Sequence, residues 1–477
     1  MNYRMDIRLL SVLSGMLGLF ELIPWVVSWR LGEDTRPFTM AIAVALCGGM
    51  GYFLTNGASQ KLTARDGILV VGFGWFLATV LGGMPFVFGG HMGWIDSWFE
   101  TSSGLTTTGA SIVPDVEIWP KGQLFWRALT QWLGGMGILV LAIAFTPFME
   151  GGVFELMKAE VPGPSKDRFV PRVARTAQIL WLLYLGITIA NILAFHFSGM
   201  DWLESFDHAF TTMATGGYST RNASMAAFSP AAQWWCVFFM AVAGGNFLLH
   251  YRLLVRGDWR IFQDTELRLY LSIIVLSSIP IGLILMSHQG VDLETGMRHA
   301  FFSVVSIMTT TGYANDDFEL WPYYHQMILL CLMVIGGMAG STAGGIKVVR
   351  LAMVWKIFLT VIDRLLRPRQ VVHATLDGTR LSHEMIENSL IMVIVFFFLV
   401  FITTVLLTGL GLDFPSAFSA SLSCLANVGP GIGSVGPLDN YAHVHDVGKL
   451  WLTFIMIAGR LELYTVLILL FPRFWQD

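Results

Sequence analysis

Long apolar runs, interrupted at intervals by short polar segments, follow one another along the whole chain. A helix needs about 20 mostly apolar residues to cross the hydrocarbon core of a bilayer. Ten stretches come close enough to predict crossing helices: 7–29, 38–54, 68–88, 124–148, 177–197, 233–254, 269–286, 327–358, 386–407 and 450–471. On one side of the predicted membrane lie four segments of another kind, 94–109, 202–217, 296–312 and 414–429. Each is moderately apolar, too short to cross, and runs through a Thr or Asn to a Gly. Non-helical backbone at membrane depth is tolerated only where it lines a water-filled cavity or is buried in protein. Four such segments therefore predict four re-entrant loops around one pore.

The four segments align as internal repeats. Anchored on Gly109, Gly217, Gly312 and Gly429, which are 108, 95 and 117 residues apart, they share further positions. An aromatic stands eleven residues before each anchor (Trp98, Phe206, Phe301, Phe418), and a hydroxyl six before (Ser103, Thr211, Ser306, Ser423). Glycines follow in the next apolar run at Gly134, Gly244, Gly336 and Gly459. The first and third repeats also share an exit sequence, Asp-Val-Glu-Ile-Trp-Pro at 115–120 and Asp-Phe-Glu-Leu-Trp-Pro at 317–322. The expected architecture is an all-α integral membrane protein, with two accessory helices (1–66) and four helix–pore loop–helix repeats around a pseudo-fourfold pore. The repeats are 67–150, 151–262, 263–368 and 369–477, the third carrying a glycine-rich gating loop.

Composition fits this. Of the 477 residues 55% are hydrophobic and 13% charged, about half the charge of an average soluble domain. The net charge of −4 gives no reason to expect a nucleic-acid partner; lipid is the expected surroundings. The four cysteines lie in apolar stretches and do not form a disulfide or metal framework. The N-terminal apolar run is read as a retained crossing helix rather than a signal peptide, because it is too long and no cleavage site follows. Alternate connections hold 21 of the 29 Lys and Arg residues. The positive-inside rule then places both termini in the cytoplasm.

The loops carry the chemistry. A dehydrated cation needs oxygen ligands in place of water, and backbone carbonyls supply them without a full charge, so the ion binds and still leaves. Carbonyls turned inward at successive residues demand backbone angles that glycine reaches most cheaply. The predicted filter residues are Thr107, Thr108 and Gly109; Thr215, Gly216 and Gly217; Thr310, Thr311 and Gly312; and Asn427, Val428 and Gly429. Acidic residues near the outer mouth (Glu100, Asp115, Asp207, Asp316, Asp317) are candidates for raising the local cation concentration, or are simply solvated loop residues. No Ser–His pair, paired intramembrane aspartates or metal-ligand cluster argues for an enzyme.

The filters, as Thr-Thr-Thr-Gly-Ala, Ala-Thr-Gly-Gly-Tyr-Ser-Thr, Thr-Thr-Thr-Gly-Tyr-Ala-Asn and Asn-Val-Gly-Pro-Gly, closely resemble those of the Trk/Ktr/HKT superfamily of potassium transporters. So do Gly-Gly-Met-Ala-Gly-Ser-Thr-Ala-Gly-Gly-Ile-Lys at 336–347 and Gly-Arg-Leu-Glu-Leu-Tyr-Thr at 459–465. The resemblance covers almost the whole chain, and the additional N-terminal helix pair looks like the TrkH type rather than the shorter Ktr type. It implies K⁺ as the transported ligand, no organic cofactor, a homodimer with one pore per subunit, a bacterial inner-membrane location and a cytosolic nucleotide-binding regulatory ring of the TrkA kind. Relatives that admit Na⁺ often carry serine at the first filter glycine, so the four glycines imply selectivity for K⁺.

The third repeat holds the predicted gate. Gly336, Gly337, Gly340, Gly344 and Gly345, with Ser341 and Thr342, crowd one stretch. Glycine costs up to about 1 kcal/mol per residue in a helix interior, so the helix should break there and leave a loop under the filter. Arg460 lies within the last apolar run, with Glu462 two residues on. An arginine at membrane depth costs at least ~2.5 kcal/mol on insertion scales and is usually functional. It reads either as a cationic barrier below the filter or as a link that joins helices. A K⁺ symporter coupled to H⁺ or Na⁺ remains the alternative on the same fold.

Overall fold

The computed structural model describes residues 2–55, 63–135, 137, 173–367 and 373–476. Among these, six helices are long and apolar enough to cross a membrane: Tyr3–Leu31, Arg36–Leu54, Arg65–Phe88, Ala177–Phe197, Thr265–Gln289 and His383–Gly409. Their ends carry the expected signals. Asn2 caps the first helix through its side chain, and Gly32 closes it in the left-handed conformation (φ 71°). The third begins in a capping box between Thr63 and Asp66, which satisfies two otherwise unpaired backbone donors. Asp66 also accepts from the Asn2 amide at 2.9 Å, tying the first and third helices together.

Each long helix of the four repeats leads into a short one: Trp94–Leu105, Trp202–Met213, Leu293–Met308 and Phe414–Ala426. Three of these start on an aspartate whose side chain accepts from the first turn, Asp201, Asp292 and Asp413. The first starts instead on Gly93, without a side-chain cap.

The return helices depart from the sequence expectation. Single crossings were expected over 233–254, 327–358 and 450–471, with a break only inside the second. All three are interrupted. Pro230–Ala243 and Phe247–Leu254 meet at 101°. Tyr323–Ile335 and Val348–Leu366 are separated by the non-helical glycine-rich stretch. Asp446–Arg460 ends just before Glu462 and Leu463, both at positive φ (56° and 58°), and only short helical turns follow, Tyr464–Leu467, Ile468–Leu470 and Pro472–Phe474. The return helix of the first repeat is described over Lys121–Gly135; residues 136 and 138–148 of the expected crossing, and the connection that follows to 172, lie outside the described residues.

The repeat glycines of the return helices are contact points. A Cβ on Gly134 would strike the Leu105 carbonyl and stand 2.9 Å from the Leu105 Cα. One on Gly459 would strike the Leu425 carbonyl, and one on Gly244 would lie 2.6 Å from the Thr309 methyl. Three of the short helices therefore end directly against return-helix glycines, whereas Gly336 faces Gly344 and Gly345 of the glycine-rich stretch. Gly244 is such a packing site and is also where its helix breaks. We expect Gly134→Ala to destabilise the protein by roughly 1–3 kcal/mol, as overpacking does, read as a lower melting temperature in detergent.

Candidate ion pathway

The four short helices end in one shared turn. Thr107, Thr215, Thr310 and Asn427 adopt left-handed backbone angles (φ 55°, 54°, 57° and 57°). The next amide in each then reaches back to the hydroxyl-bearing residue of the repeat pattern: Thr108 to the Ser103 carbonyl, Gly216 to Thr211, Thr311 to Ser306 and Val428 to Ser423, at 2.8–2.9 Å. This is a helix-terminating motif normally built with glycine at the left-handed position. A side chain there costs roughly 1–2 kcal/mol, and such strain gathers at functional sites. The anchor glycines follow, also at positive φ (82°, 76°, 78° and 103°).

The loops close into a ring. A Cβ on Gly109 would strike the Gly216 carbonyl oxygen, one on Gly217 the Thr311 oxygen, one on Gly312 the Val428 oxygen, and one on Gly429 would stand 2.6 Å from the Thr108 oxygen. The order is first to second, second to third, third to fourth, and fourth back to first. The predicted filter residues thus all meet at one place, with the carbonyl oxygens of Thr108, Gly216, Thr311 and Val428 at the four seams.

A buried polar frame stands behind the ring, and most of it was not anticipated. Arg127 forms an ion pair with Glu100 at 2.7 Å, both side chains being almost completely buried. Glu100 also accepts from the Ile112 amide at 2.9 Å, and the Arg127 guanidinium lies 4.1 Å from the centre of the Tyr218 ring. The Tyr218 hydroxyl donates to the Glu100 carbonyl at 2.7 Å. Gln131 donates to the Gly216 carbonyl and accepts from the Tyr218 amide. Tyr441 donates to the Gly429 carbonyl at 2.8 Å. Asn427 uses Nδ2 to reach the Thr108 hydroxyl and the Met456 carbonyl, both at 2.9 Å. Arg127 carried one detectable signal, a charge within an apolar run; the tyrosines and glutamine carried none.

The acidic residues read as mouth charges are therefore mostly engaged. Glu100 belongs to the buried pair. Asp207 is buried as well. Asp115 accepts from Asn222 Nδ2 at 2.8 Å, Asp316 from Trp321 Nε1 at 2.8 Å, and Asp317 from the Glu319 amide. Burial raises the pKa of the outer-loop Glu319 carboxyl above its ordinary value. An exposed Ser434–His443 contact at 2.9 Å, missed in the sequence, lies on the loop after the fourth filter.

The glycine-rich stretch lies against the ends of the short helices. The Gly344 amide donates to Thr310 Oγ1 at 2.7 Å, and the Gly345 amide to the Ala426 carbonyl at 2.9 Å. Thr342 meets Thr215 Oγ1 at 3.3 Å and donates to the Met213 carbonyl at 3.1 Å. Gly336, Gly340 and Gly345 have positive φ (73°, 71° and 73°). Gly337 is the acceptor for the Val348 amide, and Ser341 folds back onto the Met338 carbonyl. The broken second-repeat helix supports the stretch: Met338 N donates to the Gly244 carbonyl and Phe247 N to Gly340. Arg460 donates to the Thr342 carbonyl at 2.5 Å and to Gly134 at 3.0 Å. Glu462 pairs with Arg350 at 2.7 Å, not with Arg460.

A helical membrane protein whose four re-entrant loops meet in one ring of backbone oxygens, with a loop seated beneath, belongs to the class of membrane ion-transport proteins. The comparisons name the family within that class. A family model described as a cation transport protein, TrkH, matches residues 35–476. The Trk system potassium uptake protein TrkH of Salmonella typhimurium is 36% identical over 487 residues, covering all of both chains. The TrkG protein of Escherichia coli K12 is 31% identical over 487 residues, covering 99% of each. The crystal structure of the potassium transporter TrkH from Vibrio parahaemolyticus superposes with a TM-score of 0.89 at 34% identity, over all of both chains. The chain belongs to the TrkH family of cation transport proteins, and is a transporter rather than an enzyme.

Removing one partner of a buried ion pair leaves the other charge uncompensated, at a cost of about 3–5 kcal/mol. Glu100→Ala is expected to reduce the yield of monodisperse protein and lower its melting temperature, while replacing Glu100 and Arg127 together with apolar residues restores much of the loss.

Proposed function

We propose that this protein takes up K⁺ across the bacterial inner membrane by channel-like conduction through the ring of filter loops. The observation that carries this reading is the closed cyclic contact among the four loops, each entered through the same left-handed turn. Rings of carbonyl oxygen from residues 107–109, 215–217, 310–312 and 427–429 replace the hydration shell of the ion. The buried oxygen Thr107 Oγ1, which has no hydrogen-bond partner, is suited to serve as an additional ligand. The short helices end at the ring, so their negative dipole ends favour a cation there.

The stretch 336–345 acts as the gate. It is held shut by bonds to the filters and by Arg460, which supplies both a link and a positive charge in the ion path. The repeats divide the chain near 67, 151, 263 and 369, and both termini face the cytoplasm. The family likeness supports assembly as a homodimer above a cytosolic, nucleotide-binding regulatory ring of the TrkA kind. Coupling of K⁺ to H⁺ or Na⁺ is the competing mechanism; a reversal potential that follows an imposed pH gradient would favour it.

The test is ⁸⁶Rb⁺ uptake into proteoliposomes of the purified chain, with K⁺ and Na⁺ as competitors. K⁺ should compete strongly and Na⁺ weakly; equal competition would defeat the filter assignment. Arg460→Ala should raise uptake several-fold, and unchanged or lower uptake by a well-folded variant argues against its role in the gate. Gly109→Ser, which puts a side chain at φ 82° against the second loop, should lower the preference for K⁺ over Na⁺.

A further inference from the structure

The exit sequence shared by the first and third repeats has no part in the pathway described so far. In both copies the first aspartate accepts from the glutamate amide two residues on, Asp115 from Glu117 and Asp317 from Glu319, each at 3.0 Å. The shared pattern thus builds closely similar turns. What each turn then touches is the exit loop of the next repeat.

From the first repeat, Asp115 accepts from Asn222 Nδ2 at 2.8 Å, Glu117 accepts from the Asn222 amide at 3.2 Å, and Asn222 Oδ1 accepts from the Val116 amide at 2.9 Å. From the third repeat, the Glu319 carboxylate accepts from the Gly433 amide, and a Cβ on Gly436 would stand 2.7 Å from the same carboxyl carbon. The remaining two seams of the outer mouth close differently. Between the second and third repeats the Met225 amide donates to the Ala314 carbonyl at 2.9 Å; between the fourth and first the Tyr441 amide donates to Ser111 at 2.8 Å. Two opposite seams are thus bridged by exit-loop carboxylates; the other two are closed by these backbone bonds, with Ser224 Oγ accepting from the Ala314 amide at 3.3 Å as well.

We infer that Glu319, and Glu117 at the opposite seam, are positioning residues for ion selection: the shared exit sequence clasps each odd repeat to the next and thereby sets the spacing of the filter ring at its outer end. This rests on the filter assignment made above. Glu319 acts over a short path. Gly433 lies four residues beyond Gly429, in a loop pinned on its other side by the fourth short helix, where Ser419 Oγ accepts from the Ile432 amide at 2.8 Å and Ser416 Oγ from the Ser434 amide at 2.9 Å. Release of the Glu319 contact leaves that loop held from one side only. Backbone oxygens then shift relative to one another, and discrimination between cations of different radius falls before conduction does.

The measurement is K⁺ and Na⁺ competition against ⁸⁶Rb⁺ uptake by the full-length chain in proteoliposomes. Wild-type protein reports on the filter assignment itself, and the ratio of variant to wild type reports on the clasp. Glu319→Ala should reduce the K⁺-over-Na⁺ preference by about fivefold, the scale of one lost hydrogen bond, with uptake at saturating Rb⁺ largely retained. Glu319→Gln keeps an acceptor oxygen without the charge and should restore the preference. Glu117→Ala should act in the same direction, giving a second reading if Glu319→Ala does not fold. Asp439→Asn removes a charge near the Glu319 clasp while leaving the Glu319–Gly433 and Glu117–Asn222 hydrogen bonds in place. The inference is overturned if Glu319→Gln and Asp439→Asn both reproduce the Glu319→Ala effect, since that pattern reports loss of mouth charge alone. It is overturned equally if the alanine variants that fold keep the wild-type preference.

Discussion

Four left-handed turns at the ends of four short helices set the terms for the rest of this molecule. Each turns the chain out of a helix while it is still buried, exposing backbone oxygen where lipid offers no hydrogen bonds. In each, a threonine or asparagine occupies an angle that glycine would take more easily. Such turns persist only where their surroundings over-determine them. Much of the interior does so: the return-helix glycines that admit the ends of the short helices, the Glu100–Arg127 pair that ties the first exit to its return helix, and the tyrosine hydroxyls that hold the exits at Glu100 and Gly429.

The asymmetry among the repeats carries as much meaning as their likeness. All four share the turn, but among the described residues only the third return helix opens into a long glycine-rich stretch, and that stretch bonds to loop residues or short-helix ends of the second, third and fourth repeats. Arg460 adds the return helices of the first and fourth. A segment tied to every repeat at once is well placed to respond to any of them. The exit loops show a different pattern: carboxylates bridge two facing seams, while the other two are closed by backbone bonds, one of them with Ser224 Oγ added. The fourfold likeness of the turns thus gives way to a twofold arrangement of the exit-loop carboxylates.

The sequence reading overestimated the number of continuous crossings. Hydropathy integrates composition over a window and does not register that Gly244, Gly245 and Asn246 free carbonyls for the neighbouring loop, or that Glu462 and Leu463 turn the last return helix at positive φ. It also misjudged the acidic residues. Glu100 looks like a loop charge until Arg127, 27 residues away on another helix, is brought beside it.

By itself the sequence determined the helical membrane class and the four glycine-anchored segments that run from a short helix into a turn. Those features are local and periodic: apolar runs of bilayer length, and glycine or hydroxyl residues at fixed offsets where backbone geometry demands them. Tertiary structure alone decided the cyclic order of the loops, the buried frame behind them, the carbonyls that receive Arg460 and the seams at the outer mouth. These depend on which backbone atoms of distant segments come within 3 Å of one another, and no spacing along one chain encodes that distance.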